Sequence, residues 1–102
     1  MILRTILLVG KDPYQLHRAL CDAGFVATAG FQIIEAGGVE AAKIELEKDD
    51  SIVAVATADP TLHDLVRALV AGRKGTHYAL VNTNGIQRVP HIFALDLGLV
   101  AG

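Results

Sequence analysis

The chain has 102 residues, of which 52% are hydrophobic and 20% charged, and its formal net charge at pH 7 is −2. These values exclude a disordered chain and predict one globular domain over residues 1–102, large enough to bury a core without a metal or a disulfide. The nearly balanced charge gives no electrostatic reason to expect a nucleic acid or an anionic membrane as a partner.

The expected location is the cytoplasm. Cys21 is the only cysteine, which favours a reducing compartment. The apolar run from Ile6 to Val9 is too short for the core of a signal peptide or for a membrane span, and no small-residue cleavage site follows it.

Three strand-to-helix units follow one another from residue 5 onwards. Apolar runs predict strands at 5–9 and at 51–58, and Phe31, Ile33 and Ile34 indicate another strand that ends near Ala36, while its start is left open. The first helix is predicted to begin with Asp12 as its N-cap and to end at Gly24 or Gly30, and the second covers 39–48. The third begins with Asp59 as the N-cap and Pro60 at its first position, and ends before Gly72. Each of these three strands is thus followed by a helix.

The C-terminal third of the chain gives different signals. Residues 78–81 predict a fourth strand, and Asn84-Gly85 is a strong signal for a tight hairpin. Pro90 limits the returning arm because proline cannot donate to a sheet ladder. The apolar run 91–95 then predicts a fifth strand, and the tail shows no clear helix. Repeated β-α-β units predict an α/β fold with an open, parallel, three-layer sheet, in which the last helix is missing.

The pattern resembles the receiver domain of bacterial response regulators, which has a flavodoxin-like fold. The segment 6–13 is similar to the first strand and acidic turn of that family, 30–42 to its second strand and second helix, and 52–60 to its phosphoacceptor strand with the following proline. The likeness extends over roughly residues 5–83.

The departures from that family concern the residues of phosphotransfer. The resemblance implies two magnesium-binding acids after the first strand, where this chain has Gly10 and Lys11. It implies a phosphoacceptor aspartate four residues before the proline, where this chain has Ala56, which offers no nucleophile. Thr83 or its neighbour corresponds to the switch hydroxyl of the family. We therefore expect no phosphorylation and no catalytic residue.

The expected loss of the last helix would leave one face of the sheet partly bare. The apolar side chains that could lie on that face are Ile92, Phe93, Leu95, Leu97 and Leu99. An exposed apolar patch of this size is typical of an interface, which predicts a homodimer or a protein partner. The alternative is that the chain is a fragment and that further helices lie beyond Gly102.

Polar residues after the strands are candidates for a ligand crevice, because open α/β sheets bind ligands at the carboxyl ends of their strands. These candidates are Gly10, Lys11, Asp12, Asp59 and Thr83. Helix capping and turn formation explain most of them without a ligand. We expect no metal and no cofactor.

The sequence therefore favours a non-catalytic pseudo-receiver domain that acts through protein–protein contact in a bacterial regulatory or assembly system. One alternative is a structural subunit of a larger machine, since the first strand and its turn are similar to those of a small subunit of rotary ATPases with the same β-α order. Another is a small ligand-binding module that uses the crevice. No pair of a nucleophile and a base supports an enzyme.

Overall fold

A computed structural model describes residues 3–73, 75–80 and 83–97. The strands are β1 (Arg4–Val9), β2 (Phe31–Ala36), β3 (Ile52–Thr57) and β4 (His77–Leu80), and the α-helices are α1 (Tyr14–Asp22), α2 (Val39–Lys48), α3 (His63–Val70) and α4 (Val89–Asp96). Short 3₁₀ helices cover Ala27–Ala29, Pro60–Leu62 and Thr83–Arg88.

The strands form one parallel sheet in the order β2-β1-β3-β4. From β1 the chain crosses to β2 on one side and then returns to place β3 on the other side. The point where the direction of strand addition reverses therefore lies between the carboxyl ends of β1 and β3. The predicted open, parallel α/β sheet is confirmed, and its strand order is that of flavodoxin-like folds.

Helices cover both faces of this sheet, so the structure has three layers. Ile6 and Leu8 of β1 point to the core cluster that contains residues of α1 and α4. Leu7 and Val9 point to the opposite cluster, which contains residues of α2 and α3. These four side chains are at most 1% exposed. Burial on both faces explains why β1 is a continuous apolar run instead of an alternating one.

The boundary between α1 and β2, which the sequence left open, lies at the first of the two glycines. The N–H of Phe25 donates to the Leu20 carbonyl at 3.0 Å, and Gly24 takes a positive φ of 99°, so the helix ends here in a left-handed turn. The strand β2 then begins at Phe31, directly after Gly30. The helix α2 has the predicted bounds.

The predicted hairpin at Asn84-Gly85 and the predicted fifth strand at 91–95 are wrong. Residues 83–88 form a 3₁₀ helix and 89–96 form α4. Ile86, Val89 and Phe93 are all buried in one core cluster, and their spacing of three and four residues fits helical turns. Pro90 lies in the first turn of α4, where its missing N–H breaks no helical bond.

The prediction of a bare sheet face is wrong for the same reason, because α4 covers that face. Phe93 is fully buried and Leu95 is 51% exposed, while Ile92 and Leu97 are partly buried against the core of α1 and α4. Leu99 lies outside the described residues. The last element of the described residues is the helix α4, so the expected lack of a last helix is wrong. Of the interface candidates that the structure describes, only Leu95 is strongly exposed.

Candidate functional site

A crevice of about 320 Å³ opens at the carboxyl ends of β1 and β3. It contains four of the five crevice residues proposed from the sequence, namely Gly10, Lys11, Asp12 and Asp59. Its apolar walls come from Val9, Leu16, Ala58 and Ile86. Thr83 begins the 3₁₀ helix after β4, and its side chain lies outside what the structure describes. This crevice is at the position where open α/β sheets place ligands.

Gly10 sets the direction in which the chain leaves β1. It has a φ of +147°, a region that side-chain-bearing residues rarely adopt, and its N–H donates to the Ala36 carbonyl at 2.9 Å. A Cβ atom added here would meet nothing within 4 Å. The backbone conformation alone therefore selects glycine, which places Lys11 and Asp12 at the mouth of the crevice.

Asp59 acts as the predicted helix cap on the opposite side of the crevice. Its Oδ1 accepts from the Thr61 N–H at 3.0 Å and from the Thr61 hydroxyl at 2.7 Å. The hydroxyl bond, then the N–H bond, lower the pKa of Asp59 below its usual value, and the positive charge of Lys11 adds to the effect. The carboxylate is therefore ionised at neutral pH, and it caps Pro60–Leu62, the 3₁₀ turn that leads into α3.

Asp12 is a weaker cap than the sequence predicts. The helix α1 begins at Tyr14, and Pro13 takes the cap position without a side-chain hydrogen bond. Oδ1 of Asp12 accepts from the Tyr14 N–H at 3.4 Å, at the long end of the hydrogen-bonding range. Asp12 is exposed, so most of its charge interacts with solvent.

The position at which the resemblance implies a phosphoacceptor holds a buried methyl group. Ala56 is 0% exposed and packs with Ile6 and Leu8 in the core below α1 and α4. The loop after β1 carries a lysine where the resemblance implies an acid. The described part of the chain has no group of three or more His, Cys, Asp or Glu side chains that could hold a metal ion.

The structure brings together a second cluster of polar side chains, which the sequence patterns above do not predict. His17 and Cys21 lie four residues apart, one turn along α1, and both line a groove of about 230 Å³ beside β2. Nδ1 of His17 is 2.7 Å from Oε2 of Glu35 on β2, and the two side chains are 39% and 45% exposed. The four-residue spacing within a predicted helix was the signal that could have revealed this pair.

Comparison of the chain with protein-family models, with curated proteins and with solved structures finds no match. The described residues include no helix with the length and apolar character needed to cross a bilayer. The function of the chain is therefore inferred from its own residues.

Proposed function

We propose that this chain is a non-catalytic, receiver-like domain that acts by contact with a protein partner or a second copy, in the cytoplasm of a bacterium. The observation that carries the proposal is the combination of a β2-β1-β3-β4 parallel sheet with a buried alanine, Ala56, at the phosphoacceptor position. The order of the strands fits a signalling or assembly module, and the buried alanine fits a domain that is not phosphorylated.

Phosphotransfer to a carboxylate, which is the acceptor that the resemblance implies, needs an attacking oxygen and charge compensation for the transferred group. The methyl group of Ala56 supplies no oxygen. In the loop after β1, the ammonium group of Lys11 would repel a magnesium ion that carboxylates would bind. Asp59 is the acid that follows β3, and one of its oxygens already accepts two hydrogen bonds from Thr61.

The first test is incubation of the purified chain with acetyl phosphate and Mg²⁺, followed by intact-mass measurement. We expect no added phosphoryl group. A mass increase of one phosphoryl group that peptide analysis assigns to residues 10–60 would overturn the proposal. The double variant Lys11→Asp, Ala56→Asp is the matched comparison, because it places carboxylates at two positions where the resemblance implies them; circular dichroism checks that it is folded.

The second test concerns the partner. Affinity capture with the wild-type chain and with Leu95→Asp compares the same surface with and without its exposed apolar side chain, which is 51% exposed on α4. A partner that contacts α4 is lost from the variant. Light scattering over a wide concentration range shows whether that partner is a second copy.

A small-ligand site at the crevice is the second candidate, favoured by its volume and by its position between the ends of β1 and β3. A thermal-shift panel of nucleotides and phosphorylated metabolites tests it. A ligand at one hundred times its dissociation constant stabilises the fold by about 2.7 kcal/mol, and the shift should be smaller in Lys11→Ala. If no compound in the panel raises the thermal midpoint, this second candidate function is wrong.

A further inference from the structure

A row of hydrogen-bonded side chains crosses the amino end of the sheet, at the opposite edge from the crevice. The side-chain amide of Gln32 on β2 donates to Oγ1 of Thr5 on β1 at 2.7 Å, and this Oγ1 lies 2.7 Å from Oγ of Ser51. The Ser51 hydroxyl donates to Oδ1 of Asp49 at 2.6 Å, and the Ser51 N–H donates to the same oxygen at 2.8 Å. These four residues, the polar row, join β2, β1 and the turn before β3.

Asp49 sets the direction of the hydrogen bonds in the polar row. The Ser51 hydroxyl and then the Ser51 N–H lower the pKa of Asp49 below its usual value, so the carboxylate is an ionised acceptor at neutral pH. Because the single hydroxyl proton of Ser51 is directed at Asp49, the Thr5 hydroxyl must donate to Ser51. Thr5 in turn accepts from Gln32. The fully buried Thr5 hydroxyl thus has both a donor and an acceptor.

The polar row lies where the pairing of β1 with β3 is irregular. The partner of Thr5 is Ile52. The partner of the next residue, Ile6, is Ala54, so Val53 is passed over. The strand β3 therefore holds one extra residue relative to β1, as in a β-bulge, directly beside the hydrogen-bonded Thr5.

Burial of apolar side chains does not by itself require this extra residue. In a regular pairing Thr5 would face Val53, and Ile52 and Val53 would exchange faces of the sheet, because a shift by one residue turns each side chain over. Ile52 is buried in the core of α2 and α3, and Val53 packs against the core of α1 and α4. Each face would still receive one β-branched apolar side chain. The loss would be polar, since Ser51 would lie one residue farther from Thr5 and the buried Thr5 hydroxyl would lose its acceptor.

We propose that the polar row selects the pairing between β1 and β3: it holds the extra residue at Val53, and its removal releases a second pairing in which the start of β3 is shifted by one residue. The cost of a buried hydroxyl without an acceptor falls on the second pairing alone, so the polar row biases two arrangements of the same strands. Asp49 and Ser51 belong to the turn between α2 and β3, so this turn moves with the shift. The selection does not depend on the receiver resemblance, and it stands or falls independently of the proposed function.

The experiment is methyl NMR of the full chain, labelled at the isoleucine and valine methyl groups, in the wild type, Thr5→Val and Ser51→Ala. The wild type should give one set of signals, with nuclear Overhauser contacts from Ile52 to the core of α2 and α3. Both variants should give a second set, in which Ile52 contacts the core of α1 and α4 and Val53 contacts the opposite core.

Thr57→Val is the matched control. Thr57 is also a fully buried threonine of the sheet, but its hydroxyl oxygen accepts from the Asp59 N–H and takes no part in the polar row. This variant should lose stability and keep a single set of signals.

The second set of signals separates selection of the pairing from mere stabilisation, which would lower the urea midpoint and leave one set. A single set with wild-type contacts in both Thr5→Val and Ser51→Ala would overturn the proposal, and so would a second set in Thr57→Val. Ser51 is only partly buried, so Ser51→Ala keeps the test decisive if Thr5→Val does not fold.

Discussion

The helical conformation of α4 can be tested with substitutions at two apolar residues that lie two positions apart. Phe93 is fully buried against the core of α1, whereas Leu95 is 51% exposed. In a helix, residues two apart point about 200° away from each other. In a strand they would lie on the same face and have similar burial. The structure therefore predicts very different costs for Phe93→Ala and Leu95→Ala.

Truncation of a buried phenylalanine to alanine costs about 3–5 kcal/mol, through lost burial and the cavity that remains. Exposed substitutions usually change stability by about 0.5 kcal/mol or less. A domain of this size has a free energy of unfolding of roughly 5–15 kcal/mol, so Phe93→Ala weakens the fold severely and Leu95→Ala hardly changes it.

Urea denaturation followed by circular dichroism measures both variants. With a slope of about 2 kcal/mol per molar urea, the midpoint of Phe93→Ala should fall by roughly 2 M and that of Leu95→Ala by about 0.3 M or less. Equal losses in the two variants would refute the helix and favour the strand that the sequence suggested. Losses near zero in both would show that this segment does not cover the sheet.

Three further predictions concern backbone conformation and carboxylates. Gly10→Ala should lower the free energy of unfolding by about 1–3 kcal/mol because φ of Gly10 is +147°. Gly72 does not have a positive φ, and a Cβ atom added there would lie in open space. Gly72→Ala should therefore be close to neutral in the same urea assay. Asp59→Ala removes both bonds to Thr61 and should lower the thermal midpoint; an unchanged midpoint would contradict its capping role. The Ser51 hydroxyl and N–H lower the pKa of Asp49 below 3.8, so its contribution to stability is present above that pH and is lost as the pH falls below it. The difference in urea midpoint between wild type and Asp49→Asn should therefore be present at pH 7 and shrink in strong acid, and a difference that stays constant would count against this linkage.

The first three β-α units were predictable because several local signals agree in each of them. Helix α2 has the predicted bounds, β2 ends at the predicted residue, and Asp59 caps the turn before α3. Periodicity, caps and flanking glycines all indicate the same elements there. Two helix starts differ from the prediction. The helix α1 begins one residue late, because the long hydrogen bond of Asp12 leaves Pro13 at the cap position. The helix α3 begins at His63 instead of Pro60, because Asp59 caps a 3₁₀ turn that precedes it.

The segment after β4 was not predictable in the same way. A five-residue apolar run fits a buried strand and a short buried helix equally well, and Asn-Gly fits many turns besides a hairpin. Pro90 supports a helix start, but Arg88 at the cap gives no side-chain hydrogen bond, in contrast to Asp59 before Pro60. Tertiary burial of Ile86, Val89 and Phe93 selects the helix, and that burial cannot be read from local sequence.

The crevice could be located from the sequence because strand ends share one edge of a parallel sheet. The clustering of Gly10, Lys11 and Asp59 follows from topology alone. The pairing of His17 with Glu35 could not be predicted, because it depends on how α1 crosses β2.

The central position of β1 has a consequence for how the chain folds. Its residues pair with β2 from Arg4↔Phe31 onwards and with β3 from Thr5↔Ile52 onwards, so one six-residue segment is the template for both neighbours. The entropy of closing a loop grows only with the logarithm of its length, so these two closures differ in cost by less than about 1 kcal/mol. Either neighbour can dock first, and both routes require β1. Amide protons of β1 should therefore be among the slowest to exchange, and a peptide that competes for this strand would block both routes at once.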